Sequence, residues 1–370
     1  MTPGAVPVAR RQLLSEPAKV AVAVLAVGAA VALVLLLTGL RRGMGEQVTT
    51  YLRHEPPILV GQEGTRNFLS QTSVLPDSDV ARVAQVPGVA AVAPISQGYA
   101  MLNLHGKHIL TVLIGYEPSG VGGPWSIAKG RAPGNGELVL DRTLASEHGL
   151  EIGSVLDVRG TSLRIVGLSS GTSGFMTPLA FTTRTSANEL NEQPQTATFL
   201  LVRPEAGVAP AALAARIDNA VAGVSALERD ELAARDRDVF VGAFAGPLTA
   251  MITIAGAVAI LVIAITIYSA TRDRSREYAT LKAIGLTRGG LLRLVAMQSG
   301  ALAALGTAVG VLFAIAAVRG VAAIAPKYLI ALAPRDALAM ALAALVFALL
   351  AGLVPARYLA SLDPATAFQR

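Results

Sequence analysis

Four long apolar runs, at about 19–40, 247–270, 294–318 and 336–355, decide most of what this chain can become. Each is long enough to cross a hydrocarbon core of roughly 30 Å, which takes about 20 helical residues. No Asp, Glu, Lys, Arg or His lies between Val20 and Leu40, Pro247 and Ala270, Leu294 and Val318, or Ala337 and Ala356. Proton relays and ion-coupled carriers place ionisable groups inside the membrane, so these spans read as packing elements and disfavour a secondary transporter or an ion pump. The composition agrees: 53% hydrophobic with 15% charged residues is too apolar for an ordinary soluble protein. About 200 residues of normal polarity, rich in Gly and Pro, separate the first run from the second. The expected fold class is therefore an integral membrane α-helical protein, with four transmembrane helices and one large α+β extracytoplasmic domain between helices 1 and 2.

The expected layout is a cytoplasmic amphipathic segment (1–18), span one (19–40), the extracytoplasmic domain with its stalk (41–246) and span two (247–270). A cytoplasmic loop (271–293), span three (294–318), a short outer loop (319–335), span four (336–355) and a cytoplasmic tail (356–370) follow. Orientation rests on the excess of Lys and Arg in short cytoplasmic loops. The loop between spans two and three offers Arg272, Arg274, Arg276, Lys282, Arg288 and Arg293 against Asp273 and Glu277. Arg41 and Arg42 after span one, and Arg319, Lys327 and Arg335 between spans three and four, vote the other way. "ARRQLL" at 9–14 has the paired arginines of an export signal, but the apolar run after it exceeds a signal h-region of about 7–15 residues and lacks a small-residue cleavage site. An uncleaved first span is expected, in a bacterial inner membrane, with both termini cytoplasmic.

The insert reads as mixed structure. Residues 100–116 form two strands joined at Gly106-Lys107, and 154–168 a hairpin turning near Gly160. Residues 197–229 read strand, helix, strand. Helices at 77–86 and 141–149 each open on an aspartate suited to an N-cap. "RDELAARDRDVF" (229–240) runs straight into span two, so one helix could continue from domain to membrane as a stalk.

Few residues invite a catalytic reading. "GLSSG" (167–171) matches G-x-S-x-G with Ser169 in the nucleophile place, but a loop-like stretch follows it and all four histidines, His54, His105, His108 and His148, precede it. His105 and His108 form H-x-x-H on a tight hairpin with no acidic or cysteine partner nearby, which fits solvated side chains better than metal ligands. The chain has no cysteine and no phosphate-cradling G-x-x-x-x-G-K-[ST], so no thiolate chemistry and no nucleotide hydrolysis of its own are expected. Neither a cofactor nor a metal is expected. The net charge of +6 fits contact with anionic membrane lipid; no basic run with interleaved aromatics points to nucleic acid. In "GTAVG", Gly306 and Gly310 have the GxxxG spacing that lets helices approach closely.

One polar segment interrupts the apolar C-terminal half: "RSREYATLKAIGLTRGG", 274–290. Within it "REYATLKAIG" reads as a helix with Arg276, Glu277, Thr280 and Lys282 on a polar face and Tyr278, Leu281 and Ile284 on another. A topogenic loop needs the arginines but not the apolar stripe, so the stripe implies a partner surface. The whole stretch from 274 to 310, the closing "LVPARYLASLDPATAF" (353–368), "ARRQLLSEP" before span one and the order of one span, large domain, three spans resemble the FtsX-like permeases, the MacB-type or mechanotransmission class of ABC transporters. The stretch "GTRNFLSQTSVLP…VPGVAAVAPI" is similar to the MacB-like periplasmic core domain.

The resemblance implies a coupling helix in the loop between spans two and three that docks on a separate ATPase subunit. The positions that inherit this role are Glu277, Thr280, Leu281, Lys282, Ala283, Ile284 and Gly285. It further implies two permease copies, a homodimer, with two ATPases, and admits a periplasmic adaptor protein. An outer domain of about 200 residues is compact for pumps that bind a long outer-membrane duct. Three functions follow as expectations: the non-catalytic permease subunit of an ABC exporter, a non-transporting transducer that regulates an extracytoplasmic enzyme such as a cell-wall hydrolase, and a membrane receptor without an ATPase.

Overall fold

A computed structural model describes residues 17–71, 73–104, 107–118, 120–174, 177–273, 277–278, 280 and 287–361, with backbone only for 354–361. The chain divides into two compact units: Met44–Phe244 with Pro326–Tyr328, and Met1–Gly43 with Ala245–Ala325 and Leu329–Arg370.

The first unit is built on a ten-stranded sheet among the described residues. Its strands are β1 (Ile58–Gln62), β3 (Val89–Leu104), β4 (Lys107–Tyr116), β5 (Ile127–Gly130), β6 (Glu137–Asp141), β7 (Val155–Val158), β8 (Thr161–Ser169), β9 (Leu179–Thr183), β11 (Phe199–Pro204) and β12 (Val224–Glu228). The order is β12-β1-β11-β3-β4-β9-β6-β8-β5, with β7 beside β3 and β8. β2 (Leu75–Pro76) and β10 (Thr196–Ala197) form a separate short pair. Pairing is antiparallel except between β4 and β9 and between β6 and β8. The central strands are apolar at consecutive positions because both faces are covered, as in sheets packed on two sides. In β11, Phe199 and Leu201 enter one core layer while Leu200 and Val202 enter the opposite one. In β9, Leu179 and Phe181 face the first layer and Ala180 a third cluster.

β3 is longer than the sequence pattern shows. Its first part, Val89–Ile95, pairs with β11, and its second, from Ser96, pairs with β4. Alanines and Pro94 obscure the alternation there, so the pattern predicts the strand only from residue 100. Lys107 belongs to β4, paired with Leu104, and not to the turn. The 155–169 hairpin does turn at Gly160: Arg159 (φ 53) and Gly160 (φ 82) are both left-handed, as a two-residue hairpin turn requires. Arg159 holds this conformation with its guanidinium, donating to Leu190 O at 3.2 Å and to Tyr99 O at 2.7 Å.

The helices of this unit follow their signals unevenly. Asp141 caps the helix Arg142–Glu147 by accepting from Thr143 N and Leu144 N. Asp77, expected to do the same for Ser78–Ala84, makes no side-chain cap. Its carboxylate instead takes Arg184 Nη1 at 2.6 Å, and Arg184 Nε reaches Glu117 at 2.8 Å. Pairing with the full charge of the guanidinium takes the place of the cap. Residues 199–228 form strand, helix Pro210–Ala220 and strand. Pro326–Tyr328, expected within a short outer loop, belongs to this unit through Gln47 Nε2, which donates to Lys327 O at 2.7 Å, and through Lys327 Nζ, 3.4 Å from Glu147.

The second unit is helical. Among the described residues, four helices are long and apolar enough to cross a membrane: α1 (Pro17–Val48), α2 (Arg229–Asp273), α3 (Arg288–Ile324) and Pro334–Leu353, the apolar part of α4 (Pro334–Ser361). α2 is one helix of 45 residues, running from the charged 229–240 stretch through the second apolar run. Arg42, near the end of α1, meets Asp336, in the first turn of α4, at 2.9 Å, so these two ends lie on the same side of the bundle.

Candidate functional site

The polar segment between α2 and α3 begins where α2 ends. Thr271 is buried and donates its hydroxyl to Ile267 O at 2.7 Å, while Arg272 and Asp273 are exposed. Glu277, Tyr278 and Thr280 are helical. At i and i+3 on one helical face, Glu277 and Thr280 are exposed. Leu281, Lys282, Ala283, Ile284 and Gly285, the remaining expected coupling positions, lie outside the described residues, as do Arg274 and Arg276. α3 then starts on Thr287, whose side chain accepts from Gly290 N at 3.2 Å.

Tyr278 departs from the sequence reading, which places it on a stripe for a partner. It is 1% exposed, among the largest fully buried side chains, and its hydroxyl donates to Gln298 Oε1 of α3 at 2.5 Å. A phenol offers a large apolar body and a polar tip that must find a partner when buried. The stripe at this position therefore serves the protein's own bundle.

Gly306 and Gly310 face α1. A Cβ on Gly306 would sit 2.5 Å from Val27 Cγ1, and one on Gly310 would sit 2.6 Å from the carbonyl oxygen of Gly28. Sequence reading missed a second close crossing: in "GLRRG", a Cβ on Gly43 would fall 1.7 Å from Leu329 O, and Ala331 N donates to Gly39 O at 3.0 Å. The same four-residue glycine spacing was the available signal.

In the sheet-bearing unit Ser169 is part of a structural network. Ser169 is fully buried; its hydroxyl donates to Thr172 Oγ1 at 2.6 Å and lies 3.3 Å from Leu140 O. Thr172 and Ser173 in turn donate to Asp141, the helix cap, at 2.7 and 2.8 Å. This network pins a loop to a strand end. His108 is exposed on β4 opposite Asn103, and His105 lies outside the described residues. His54 stacks on Trp125, ring centroids 3.9 Å apart.

Sequence reading also missed two buried carboxylates in the core layer that holds Tyr51, Phe68, Phe181 and Phe199. Asp236 is fully buried and accepts from Phe68 N at 3.0 Å and Leu69 N at 3.2 Å, while Tyr99 Oη donates to Leu69 O at 2.7 Å. Burial pushes its carboxyl up to about 6, against the opposing pull of the Leu69 and Phe68 amides. Glu55 is also buried, and burial pushes it up to about 8, offset in part by Tyr51 and the Gly122 backbone. The Tyr51 hydroxyl, raised well above its ordinary value by burial, donates to Gly122 O at 3.0 Å. Helical spacing held the clue for Asp236: it continues the face of Leu232, Ala233 and Phe240, all packed in this layer.

The chain is similar to known proteins over nearly its whole length. Residues 20–220 match the MacB-like periplasmic core domain, and 249–364 match the FtsX-like permease C-terminal domain. An uncharacterized ABC transporter permease of Mycobacterium tuberculosis is 26% identical over 367 residues, covering 97% of this chain and 98% of the relative. Another uncharacterized ABC transporter permease, from Mycobacterium bovis, is 26% identical over 357 residues, 95% of each chain. Among solved structures, the periplasmic region of MacB from Actinobacillus actinomycetemcomitans aligns with a TM-score of 0.37 and 13% identity, over 51% of this chain and 92% of that one. The extracellular domain of the noncanonic ABC-type transporter YknZ from Gram-positive bacteria aligns with a TM-score of 0.37 and 11% identity, over 46% and 99%.

Proposed function

This chain belongs to the ABC transporter permeases of MacB and FtsX type, and from that premise we propose that it is the non-catalytic membrane subunit of an ABC exporter. It works with a separate ATPase subunit in a unit of two permeases and two ATPases. The 271–293 loop and both termini face the cytoplasm, and the sheet-bearing unit lies outside a bacterial inner membrane. ATP-driven movement of the ATPase enters at Glu277, Thr280, Leu281, Lys282, Ala283, Ile284 and Gly285. It drives the outer unit to expel a substrate without passing it through a central pore. The observation that carries this reading is the exposed Glu277–Thr280 face on a helical segment between two apolar helices. The stretches 20–40, 247–270, 294–318 and 337–356, which hold no Asp, Glu, Lys, Arg or His, support it too, because they leave the energy to come from elsewhere.

The test is co-purification. The tagged full chain should bring down an ATPase from its native membrane, and the double variant Glu277→Ala/Lys282→Ala should weaken that capture by about 30-fold or more, the scale of an interface hot spot. Capture equal to wild type would overturn the placement of the coupling helix. ATP turnover and outer-unit movement with no lipophilic or peptide cargo leaving reconstituted vesicles would make the chain a transducer rather than an exporter.

A further inference from the structure

The segment proposed to receive the ATPase is held to the membrane bundle by a buried polar contact. Tyr278 turns inward between the exposed residues Glu277 and Thr280, 1% exposed, and its hydroxyl reaches Gln298 Oε1. Gln298 is itself buried, on the α3 face formed by Leu291, Leu294, Val295, Ser299 and Leu302. Phenylalanine and leucine would fill the same space without burying an oxygen and an amide, groups that cost free energy unless they are paired. What the pair adds over apolar packing is direction: a hydrogen bond fixes the segment against one point of α3, where apolar contacts would let it slide.

That point is well placed to pass movement on. One residue along, Ser299 meets α4: a Cβ on Gly352 would come within 2.5 Å of Ser299 Oγ and 3.3 Å of Val295 Cγ1. About two turns further, Gly306 and Gly310 press on α1 at Val27, Gly28 and Val31. α3 thus takes the coupling segment at one end and contacts two other helices closely along its length. Close-packed contacts of this kind transmit displacement because interiors deform little.

From this geometry we infer that Tyr278, through its hydrogen bond to Gln298, is the positioning residue that ties the coupling segment to α3, so that movement of the docked ATPase shifts the bundle instead of bending the segment. The inference rests on the proposed coupling function. Tyr278 acts through Gln298 and makes no contact with the ATPase; its loss uncouples the motor while leaving it attached.

The experiment uses the full chain in nanodiscs with the ATPase recovered by wild type. Three quantities are read: the ATPase dissociation constant, the ATP hydrolysis rate, and the ATP-dependent change in amide hydrogen exchange across residues 44–244. Tyr278→Phe and Gln298→Leu should each bind the ATPase as wild type does, yet lose about three- to tenfold of the exchange response, the scale of one hydrogen bond between membrane helices. The double variant should be no worse than either single one. Gln298→Glu, which keeps an acceptor for the tyrosine, should retain the response that Gln298→Leu loses, a contrast that a mere packing role does not predict. A wild-type response in a folded Tyr278→Phe chain overturns the inference. So does loss of ATPase binding in either single variant, which would place Tyr278 in the docking surface. Should Tyr278→Phe fail to fold, Gln298→Leu against Gln298→Glu decides the same question with the tyrosine intact. If wild type binds no ATPase, the proposed function itself fails, an outcome read before any variant is made.

Discussion

The two units of this chain bury their residues by different physics. The sheet-bearing unit sequesters large side chains in layers, with Phe68, Phe181 and Phe199 each at 0–1% exposure, and even admits two carboxylates among them. The helical unit has no charge in its apolar stretches 20–40, 247–270, 294–318 and 337–356 and is joined by absence of side chain, at Gly28, Gly43, Gly306, Gly310 and Gly352. The reason is the solvent. Water drives apolar side chains of the first unit together, whereas lipid tails are as apolar as leucine, so spans associate through close contact and scattered hydrogen bonds. Tyr278–Gln298 is one such bond, between α3 and the segment that follows α2.

The contrast can be broken from the sheet side first. Phe181→Ala removes a fully buried ring from a layer sealed on both sides and should cost about 3–5 kcal/mol. Trp125, the single tryptophan of the chain and packed beside that layer, reports the unfolding of this unit by fluorescence. A variant whose tryptophan transition coincides with wild type would show that the layer does not govern the unit's stability.

A smaller effect follows from the buried acids. Asp236 at about 6 and Glu55 at about 8 both lie above the ordinary carboxylate range. The folded unit therefore holds protons that the unfolded chain has released. The stability they contribute is complete below about pH 4 and is lost as pH rises, through about 6 for Asp236 and about 8 for Glu55. Denaturation followed at Trp125 should show the stability falling between pH ~6 and ~8 by about 2–3 kcal/mol, since each tenfold difference in proton affinity is worth ~1.4 kcal/mol. Glu55→Gln should flatten the upper part of that slope. A midpoint that climbs over this range would contradict the burial described for both groups.

The smallest effect sharpens the other side. Gly310→Val sets a side chain 2.6 Å from the Gly28 carbonyl oxygen, a backbone atom that cannot rotate away. About 1–3 kcal/mol of overpacking should follow, seen as a lower helical unfolding temperature at 222 nm in detergent, with the Trp125 transition in place. Were both signals to move together, the two units would not be energetically separable as their architectures imply.

Much of the fold was legible because its signals are local. Runs of about 20 uncharged residues, the Gly160 hairpin, the Asp141 cap and the strand–helix–strand of 199–228 depend on near neighbours, and the sequence displays them directly. Of the segment proposed for coupling, Glu277 and Thr280 stand exposed, and the other five positions lie outside the described residues. Hidden features depend on residues far apart. Asp77 had the spacing of a cap but meets Arg184, 107 residues away. β3 starts at Val89 because β11 pairs with it, which no alternation in its alanines announces.

By itself, then, the sequence determined that this chain crosses a membrane four times, carries one large mixed domain between its first and second spans, and presents a polar segment between its second and third. Hydrophobic length and charge placement are properties of contiguous residues, and the membrane and water sort them without reference to the rest of the chain. The tertiary structure decided which side chains those elements turn inward: Tyr278 onto Gln298, Asp236 onto the Phe68 and Leu69 amides, Gly310 onto Gly28. Each of these is a pairing in which the second partner supplies the physics, a donor, an acceptor or a vacant surface. A partner brought from another element is fixed by packing and not by spacing along the chain.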